Sequence, residues 1–208
     1  MPYFLVILAY FIGSISTAIV SCKLLGQVDP RTVGSKNPGA TNVLRYAGKK
    51  AAFFTLLGDI LKGLIPVVIG HLLGLDWMWL GLVGLAAFLG HLYPIYYGFK
   101  GGKGVATALG VFIGLQPIVG LVVIITWLIS ALIFNISSLS ALIATLLAPL
   151  YFYWVTDSLP LFIVLSVMTA LIYWRHRTNI VEIIDGTEDK IVGKDKQVTV
   201  DSTEENSL

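Results

Sequence analysis

The feature that most constrains this chain is the length of its apolar segments. No lysine or arginine occurs between Gly63 and Phe99, or between Gly104 and Trp174. Hydrophobic residues make up 56% of the 208 residues, whereas charged residues make up only 12%. A helix that crosses the hydrocarbon core of a bilayer needs about 20 predominantly apolar residues. The sequence therefore predicts an all-α, polytopic integral membrane protein.

The number of helices follows from the apolar segments and the polar breaks between them. The segments are Pro2 to Leu25, Ala51 to Leu75, Leu80 to Tyr97, Gly104 to Phe134, Leu139 to Val155 and Pro160 to Trp174. Gln116-Pro117 divides the fourth segment, because proline disrupts a helix. This division gives seven transmembrane helices, with five or six as alternatives. Val105 to Leu115 would span only about 17 Å at 1.5 Å per residue, which leaves a half-inserted segment as the alternative there.

The distribution of charge predicts the orientation in the membrane. The loop after the first segment carries five basic residues against one acidic residue, which marks it as cytoplasmic. Seven helices then place the N-terminus outside, and Arg175, Arg177 and the C-terminus in the cytoplasm. We expect a transmembrane domain over residues 1–181 and a polar cytoplasmic tail, partly disordered, over 182–208. The single cysteine, Cys22, excludes an intrachain disulfide and argues against a metal–thiolate cluster.

The first polar stretch runs from Gly34 to Arg45. Asn37-Pro38-Gly39 predicts a type II turn, in which Gly39 takes the positive φ that the turn requires. Hydroxyls, amides and one guanidinium surround this turn: Ser35, Thr41, Asn37, Asn42 and Arg45. Together with exposed backbone N–H groups, they suit an oxyanion, most simply a phosphate. A solvated loop between two helices is the alternative for this stretch taken alone.

Two further polar stretches fall on the same side of the membrane in the predicted topology. Lys100 to Gly104 places lysines on a glycine backbone, where N–H groups can approach an anion closely. It is not a nucleotide-binding P-loop, because Lys103 is followed by glycine rather than by serine or threonine. Arg175 to Asn179 puts His176 and Asn179 three residues apart, on one helix face. An imidazole can take a proton and an amide can hold an oxyanion, although an isolated histidine is more often structural.

Charged groups also occur inside the second apolar segment. Asp59 and Lys62 lie at i and i+3, where they can pair and so lower the cost of burial. They either brace the floor of a site or form a purely structural ion pair. His71 and Asp76 have the His-x-x-x-x-Asp spacing of glycerolipid acyltransferases that use such a pair as a general base. They lie away from every basic stretch, and we interpret their spacing as a coincidence.

The three polar stretches together resemble the motifs of the bacterial acyl-phosphate:glycerol-3-phosphate acyltransferases, a family of integral membrane enzymes. The matching residues are Gly34 to Asn42 with Arg45, then Gly90-His91-x-Tyr93-Pro94 through Phe99 to Gly104, and finally Arg175-His176-x-x-Asn179 with Gly186-x-Glu188. The match extends to Gly58-Asp59 and Lys62-Gly63 and covers essentially the whole membrane part.

Two positions depart from the pattern of that family. Lys36 stands where the family usually has glycine, which adds positive charge without removing a motif ligand. Glu182 stands where the family usually has arginine, which argues against an anion-binding role for the start of the tail.

The resemblance implies transfer of a fatty acyl group from acyl phosphate to the sn-1 hydroxyl of glycerol 3-phosphate, giving lysophosphatidate and phosphate. Acyl phosphate carries its own leaving group, so no cofactor, metal or acyl-enzyme intermediate is expected. The expected setting is the bacterial inner membrane, with the active site facing the cytoplasm. The expected partners are the two substrates, membrane lipids and, functionally, the enzyme that makes acyl phosphate. We expect a monomer that binds no nucleic acid.

The resemblance and the residue chemistry together assign roles to sixteen positions. The expected catalytic groups are Ser35, as a hydrogen-bonding ligand rather than a nucleophile, with His176 and Asn179. The expected phosphate ligands are Arg45, Lys103, Asn37, Gly39, Thr41, Asn42, Gly101, Gly102 and Gly104. The expected supporting residues are His91, Asp59, Lys62 and Glu188.

Two other classes of function, a transporter and a structural membrane subunit, fit the sequence less well than this enzyme. A transporter of a phosphorylated or anionic solute would place its site near the bilayer midplane, between repeated halves. The sequence has no internal repeat, and its polar groups crowd one predicted face. A structural membrane subunit would leave the basic, glycine-rich loops unexplained.

Overall fold

The computed structural model describes residues 1–191, and every regular element in that range is helical. The helices are α1 (Pro2–Gly13), α2 (Thr17–Leu24), α3 (Ala40–Leu72), α4 (Trp77–Leu92), α5 (Val105–Leu115), α6 (Pro117–Phe134), α7 (Ser137–Thr156), α8 (Leu159–Arg175) and α9 (Arg177–Ile184), with a short 3-10 turn at Ile95–Tyr97. The all-α prediction is confirmed. Residues 192–208 of the predicted tail lie outside the described residues.

Within residues 1–191, four helices are long and apolar enough to cross a membrane, namely α3, α4 with the 3-10 turn, α6 and α7. The pairs α1–α2 and α8–α9 are bent by 41° and 61°, and they raise the number to six if each pair is one broken span. The predicted seventh span corresponds to α5, which has only 11 residues and is too short for a full crossing. The multi-pass membrane character is confirmed, whereas the orientation of the termini stays a prediction.

The third helix begins earlier than the sequence suggested. It starts at Ala40, so the second half of the first polar stretch is helical rather than loop. Gly48 interrupts this helix with a φ of 80° and a ψ of 177°. Only glycine takes such a conformation readily, because it has no Cβ. The residues before Gly48 thus form a separate short helical segment that carries Arg45, and the residues after it form the membrane-spanning part.

The apolar core lies where α4, α5, α7 and α8 meet. Phe88, Phe112 and Phe152 are fully buried there, and the rings of Phe112 and Phe152 lie 5.6 Å apart. Helix α5 packs unusually close to α3, since a Cβ added at Gly110 would lie only 2.0 Å from the Ile60 carbonyl oxygen. Small residues permit this close approach of helices in membranes. The packing fixes the N-terminal end of α5, which follows the second polar stretch.

The start of the polar tail belongs to the folded part of the chain. Helix α9 continues to Ile184, past the predicted boundary at residue 182. The Ile191 N–H donates to the Asn135 carbonyl oxygen at 2.9 Å, so the chain returns to the connection between α6 and α7. Residues 182–191 therefore pack beside the helices, and the division into 1–181 and 182–208 stays a prediction.

The predicted type II turn at Asn37-Pro38-Gly39 is wrong. Gly39 has a φ of −136° and is the N-cap of α3, and its N–H donates to the Asn37 carbonyl oxygen at 2.9 Å. The chain reverses earlier, at Gly34 and Lys36, which have φ values of 57° and 55°. Proline fixed the φ of residue 38 but did not determine that of residue 39. The left-handed conformation of Lys36 also accounts for the glycine that the resembled family usually has at this position.

We expect Lys36→Gly to be more stable than Lys36→Val. Both variants lose the same charge, but valine at a φ of 55° would keep the left-handed strain that glycine removes. The strain amounts to about 1–2 kcal/mol per residue. Thermal unfolding of the two purified variants in one detergent measures the difference. Equal melting temperatures would show that the left-handed conformation of residue 36 carries no strain.

Candidate active site

The three polar stretches meet at one end of the helices. The Lys103 ammonium donates to the Asn179 amide oxygen, which joins the second stretch to the third. Arg45 and Asp189 form an ion pair with a nitrogen–oxygen distance of 2.7 Å, which joins the first stretch to the start of the tail. The predicted convergence of the three stretches is therefore seen in the contacts.

The second stretch folds back onto the end of α4. The N–H groups of Gly101 and Gly102 donate to the carbonyl oxygens of Leu92 and His91, each at 3.2 Å. A Cβ at position 101 would lie 2.0 Å from the His91 carbonyl oxygen, so this approach requires glycine. The expectation that these two N–H groups are free to meet an anion is wrong, because both are already used to hold the loop. Gly101 and Gly102 can therefore contribute to phosphate binding only by leaving space beside the loop, since they have no side chains.

Arg175 holds the same loop from the other side. Its guanidinium donates to the carbonyl oxygens of Gly101 at 2.6 Å and Gly102 at 3.1 Å, and it lies 5.9 Å from the centre of the Tyr93 ring. Sequence reasoning assigned no role to Arg175. Its partners lie more than 70 residues away in the chain, so the sequence could not indicate them. The only sequence signal for a role of Arg175 was its place directly before His176.

Lys103 begins a chain of polar contacts that ends at α7. Asn179 accepts from Lys103 and donates to the two carboxylate oxygens of Glu188 at 2.8 and 3.0 Å. Ser138, which sequence reasoning missed, donates to the same carboxylate at 2.5 Å. The amide of Asn179 is thus oriented from both ends, with its oxygen towards the cation and its nitrogen towards the anion.

Burial and neighbouring groups shift the pKa values of Lys103 and Glu188, the two charged members of this chain of contacts. Burial lowers the pKa of Lys103, and the nearby carboxylate of Glu188 opposes that shift only in part. Burial acts to raise the pKa of Glu188, but hydrogen bonds from Glu182, Ser138 and Asn179 outweigh it, so the pKa lies below its ordinary value. Glu188 is therefore an anion at neutral pH, and it faces a lysine that gives up its proton more readily than usual.

His176 lies at the bend between α8 and α9 and is 4% exposed. Its Nδ1 lies 2.8 Å from the Ile172 carbonyl oxygen. A carbonyl oxygen can only accept, so Nδ1 carries a hydrogen and Nε2 is the ring nitrogen left for chemistry. The structure thus fixes the orientation of the ring that the sequence singled out.

The first stretch separates into exposed groups and buried ones. Ser35, Thr41 and Arg45 are exposed, as expected for groups that meet a substrate. Asn42 is 2% exposed, and its amide donates to the carbonyl oxygens of Pro30 and Val33 and accepts from the Ser35 N–H. All of these contacts stay within the loop.

Two predicted ligands of the first stretch already have partners within the loop. The Asn42 side chain organises the loop through its bonds to the backbone, and its role as a phosphate ligand stays a prediction. The Gly39 N–H is likewise used by the Asn37 carbonyl oxygen. Asn37 is half-buried, and Gly104 is the left-handed N-cap of α5 with a φ of 92°. Their substrate contacts, like that of Thr41, stay predictions.

The His71–Asp76 spacing has structural explanations for both residues. His71 Nε2 lies 3.2 Å from the Leu115 carbonyl oxygen, and the His71 ring packs edge-on against Trp77. Asp76 is the N-cap of α4 and accepts from the Trp79 N–H at 3.0 Å. Neither residue contacts the converged polar stretches within residues 1–191, which agrees with the interpretation of the spacing as a coincidence.

Comparison with known proteins identifies the family. A sequence model of the glycerol-3-phosphate acyltransferase family matches residues 3–186, nearly the whole described chain. The chain belongs to the glycerol-3-phosphate acyltransferase family. A family member from Thioalkalivibrio sulfidiphilus is 57% identical over 92% of this chain and 95% of its own length. Another, from Hydrogenovibrio crunogenus, is 54% identical over 88% of each chain.

Two solved structures of a glycerol-3-phosphate acyltransferase have the same fold. The crystal structure of PlsY (YgiH), an integral membrane enzyme, in its glycerol 3-phosphate form has a TM-score of 0.87 and 44% identity, and covers 92% of this chain and 96% of that one. The lysophosphatidic acid form of PlsY has a TM-score of 0.84 and 43% identity, with 91% and 94% covered. The resemblance stated from the motifs is confirmed at the level of the family and its membrane fold.

Proposed function

We propose that this protein transfers a fatty acyl group from acyl phosphate to the sn-1 hydroxyl of glycerol 3-phosphate. The observation that carries the proposal is the junction of Lys103, Asn179 and Arg45 in a member of the glycerol-3-phosphate acyltransferase family. It places Lys103 against an oriented amide, and it connects Arg45 through Asp189 to the segment whose Glu188 holds that amide. PlsY, whose structures contain glycerol 3-phosphate and lysophosphatidic acid, has the same fold and supports this substrate and this product.

The two cations suit the two phosphates of such a reaction. Arg45 is exposed and carries a planar fork that can grip a phosphate with two parallel hydrogen bonds. Lys103 stands on a loop fixed by His91, Leu92 and Arg175, so its position is determined before any substrate arrives. Such preorganised charge stabilises the negative charge that develops as the acyl carbonyl is attacked.

The proposed chemistry is a direct transfer. The sn-1 hydroxyl oxygen attacks the carbonyl carbon of acyl phosphate, and the bond from that carbon to the phosphate oxygen breaks. The phosphate leaves with the bonding electron pair and takes the hydroxyl proton. His176 and Asn179 orient the acceptor, and Ser35 places phosphate and hydroxyl by hydrogen bonding. No cofactor is needed in this scheme, because acyl phosphate is already activated.

Direct transfer is favoured over an acyl-serine because Ser35 has no base beside it. Among residues 1–191, no imidazole or carboxylate hydrogen-bonds to the Ser35 hydroxyl, and only its backbone N–H has a partner, Asn42. A serine nucleophile is normally activated by an adjacent general base. We therefore assign Ser35 a positioning role towards the substrates.

The proposed setting follows from the helices and the charges. The protein lies in the bacterial inner membrane as a monomer, with the site facing the cytoplasm, where an enzyme that makes acyl phosphate supplies the donor. The acyl chain stays among lipids while the charged ends of both substrates meet at the polar loops.

A release assay tests the proposal. We expect the purified protein in detergent to convert acyl phosphate and glycerol 3-phosphate into equal amounts of free phosphate and lysophosphatidate. Acyl-CoA and acyl-carrier protein should give no comparable turnover, since the described loops are too small to hold a nucleotide or a carrier domain. Turnover with acyl-CoA alone would overturn the choice of donor.

Mass spectrometry of the protein incubated with acyl phosphate alone tests the mechanism. We expect no acyl adduct on Ser35, because the acceptor attacks the donor directly. An adduct that forms and discharges at the turnover rate would refute direct transfer and would leave the overall reaction unchanged. Ser35→Ala serves as the control that assigns any adduct to this hydroxyl.

A further inference from the structure

Three ionisable side chains meet in the interior of the helices, beneath the second polar stretch. The Asp59 carboxylate forms an ion pair with Lys62 at 2.7 Å and accepts a hydrogen bond from Thr17 at 2.6 Å, and it lies 3.4 Å from His91 Nδ1. Asp59, Lys62 and His91 are 2%, 4% and 6% exposed. Lys62 also donates to the Ile15 carbonyl oxygen at 3.0 Å, so its charge is held by two partners.

Such a cluster is a costly way to pack helices together. Charged side chains lose their hydration when they are buried, and apolar residues of similar volume often replace a buried ion pair without loss of stability. Ionisable groups inside membrane proteins are rare and usually serve a function. The atoms that the cluster touches beyond its own members therefore indicate what it does.

His91 connects the cluster to the loop that carries Lys103. Its carbonyl oxygen accepts from the Gly102 N–H at 3.2 Å, while its ring lies directly against the same glycine. A Cβ at position 102 would lie 2.3 Å from His91 Nε2, so the imidazole fills the space beneath the Gly102 backbone. Lys62, His91, Gly101, Gly102 and Pro38 line one small cavity between the cluster and the first two polar stretches.

The contact with Asp59 decides where the imidazole of His91 lies. A carboxylate oxygen can only accept, so this 3.4 Å contact favours a hydrogen on Nδ1, and Nε2 is turned towards Gly102. Asp59 itself is held by Thr17 and Lys62 from two other directions. Residues of α2 and α3 thus determine the orientation of the His91 ring, which belongs to α4. The ring in turn contacts the loop that follows α4.

We propose that Asp59 positions His91, and through His91 the Gly101–Gly102 backbone, so that the next residue, Lys103, is placed for the phosphate of glycerol 3-phosphate. This inference rests on the proposed function. We class Asp59 and His91 as positioning residues, because both side chains are buried beneath the loop. The competing account is a purely structural ion pair, which would affect stability but not the affinity for the substrate.

Two double variants separate these accounts. Asp59→Asn/Lys62→Met removes both charges but keeps an oxygen that can accept from His91, whereas Asp59→Leu/Lys62→Met removes the charges and the acceptor. We expect KM and Kd for glycerol 3-phosphate to rise by about tenfold or more in the leucine variant, equivalent to about 1.4 kcal/mol. The asparagine variant should stay within about threefold of wild type.

A further pair of variants guards against loss of folding. His91→Leu removes the same contact from the other side and leaves the Asp59–Lys62 pair intact, so it should raise KM by a similar factor. Thr55→Val is the matched control, because Thr55 is fully buried in the same helix and donates only to the Ala51 carbonyl oxygen at 2.8 Å. It should lower the melting temperature without changing KM.

Hydrogen–deuterium exchange provides a readout that does not depend on activity. The Gly101 and Gly102 amides should exchange faster in Asp59→Leu/Lys62→Met than in Asp59→Asn/Lys62→Met, because the loop loses its support. Equal KM values and equal exchange in the two double variants would overturn the inference. A wild-type protein that fails to acylate glycerol 3-phosphate would overturn the proposed function instead, and the exchange measurement would still decide the role of Asp59.

Discussion

Replacing Lys103 or Arg45 by alanine is expected to lower kcat/KM by about 100-fold or more. Each change removes a cation from the site, and the loss of a hydrogen bond to a charged group typically costs about 1.5–3 kcal/mol. A 100-fold loss corresponds to about 2.7 kcal/mol of transition-state stabilisation. Steady-state phosphate release with varied glycerol 3-phosphate measures the effect. Activity within threefold of wild type in either variant would exclude that residue as a phosphate ligand.

The matched control for this prediction is Lys103→Arg, studied against pH. Burial lowers the pKa of Lys103 below its ordinary value of 10.5, so the side chain loses its charge as pH rises through that lowered pKa. The attraction for phosphate is therefore present below the lowered pKa and lost above it, and KM for glycerol 3-phosphate should rise on the alkaline side. Arginine stays charged, so in the variant this rise should move to higher pH. Identical alkaline limbs would contradict the assignment.

Gly101→Ala is the second change with a large expected effect. The new methyl group would lie 2.0 Å from the His91 carbonyl oxygen and 2.7 Å from that of Leu92. Both are backbone atoms that cannot rotate away, so the loop must move and carry Lys103 with it. A displacement of about 1 Å at a catalytic site can cost about 100-fold in rate. We expect a loss of that size in kcat/KM, measured in the same phosphate-release assay.

Gly98→Ala is the control for this second prediction. Gly98 lies in the same connection with a φ of 63°, and an added Cβ would meet nothing within 4 Å. Alanine there adds about 1–2 kcal/mol of left-handed strain but no collision. It should lower the melting temperature and leave kcat/KM within a few-fold of wild type. A loss in Gly98→Ala as large as that in Gly101→Ala would show that strain in the loop, rather than the collision, is responsible.

The sequence was sufficient to predict the class of fold and the place of the site. Helices follow from the apolar segments, because a chain in lipid must satisfy its backbone hydrogen bonds within each segment. Lysine and arginine are absent from residues 63–99 and 104–174, so most basic residues lie in a few polar stretches. Lys103 and Asn179, 76 residues apart, were expected near each other for this reason and are in contact.

Contacts with backbone atoms that lie far apart in the chain could not be predicted from the sequence. The glycines of the second stretch looked like an open cradle for an anion, but their N–H groups bond to the end of α4. Arg175 was predicted only to lie on the cytoplasmic side, but it donates to carbonyl oxygens of the same loop. Composition and spacing record which groups are available, whereas the partner of each group depends on how the helices pack.

The ion pair between Arg45 and Asp189 sets a carboxylate against the guanidinium that we propose as a phosphate ligand. The two side chains are 38% and 53% exposed, and an exposed pair of this kind stabilises a protein by less than about 1 kcal/mol. A doubly charged phosphate can displace such a weakly held partner. Asp189 follows Glu188, which is bonded to Asn179. In the proposed site, a phosphate that binds Arg45 would therefore exchange one anion for another and free the Asp189 side chain, while Glu188 keeps the segment bonded to Asn179.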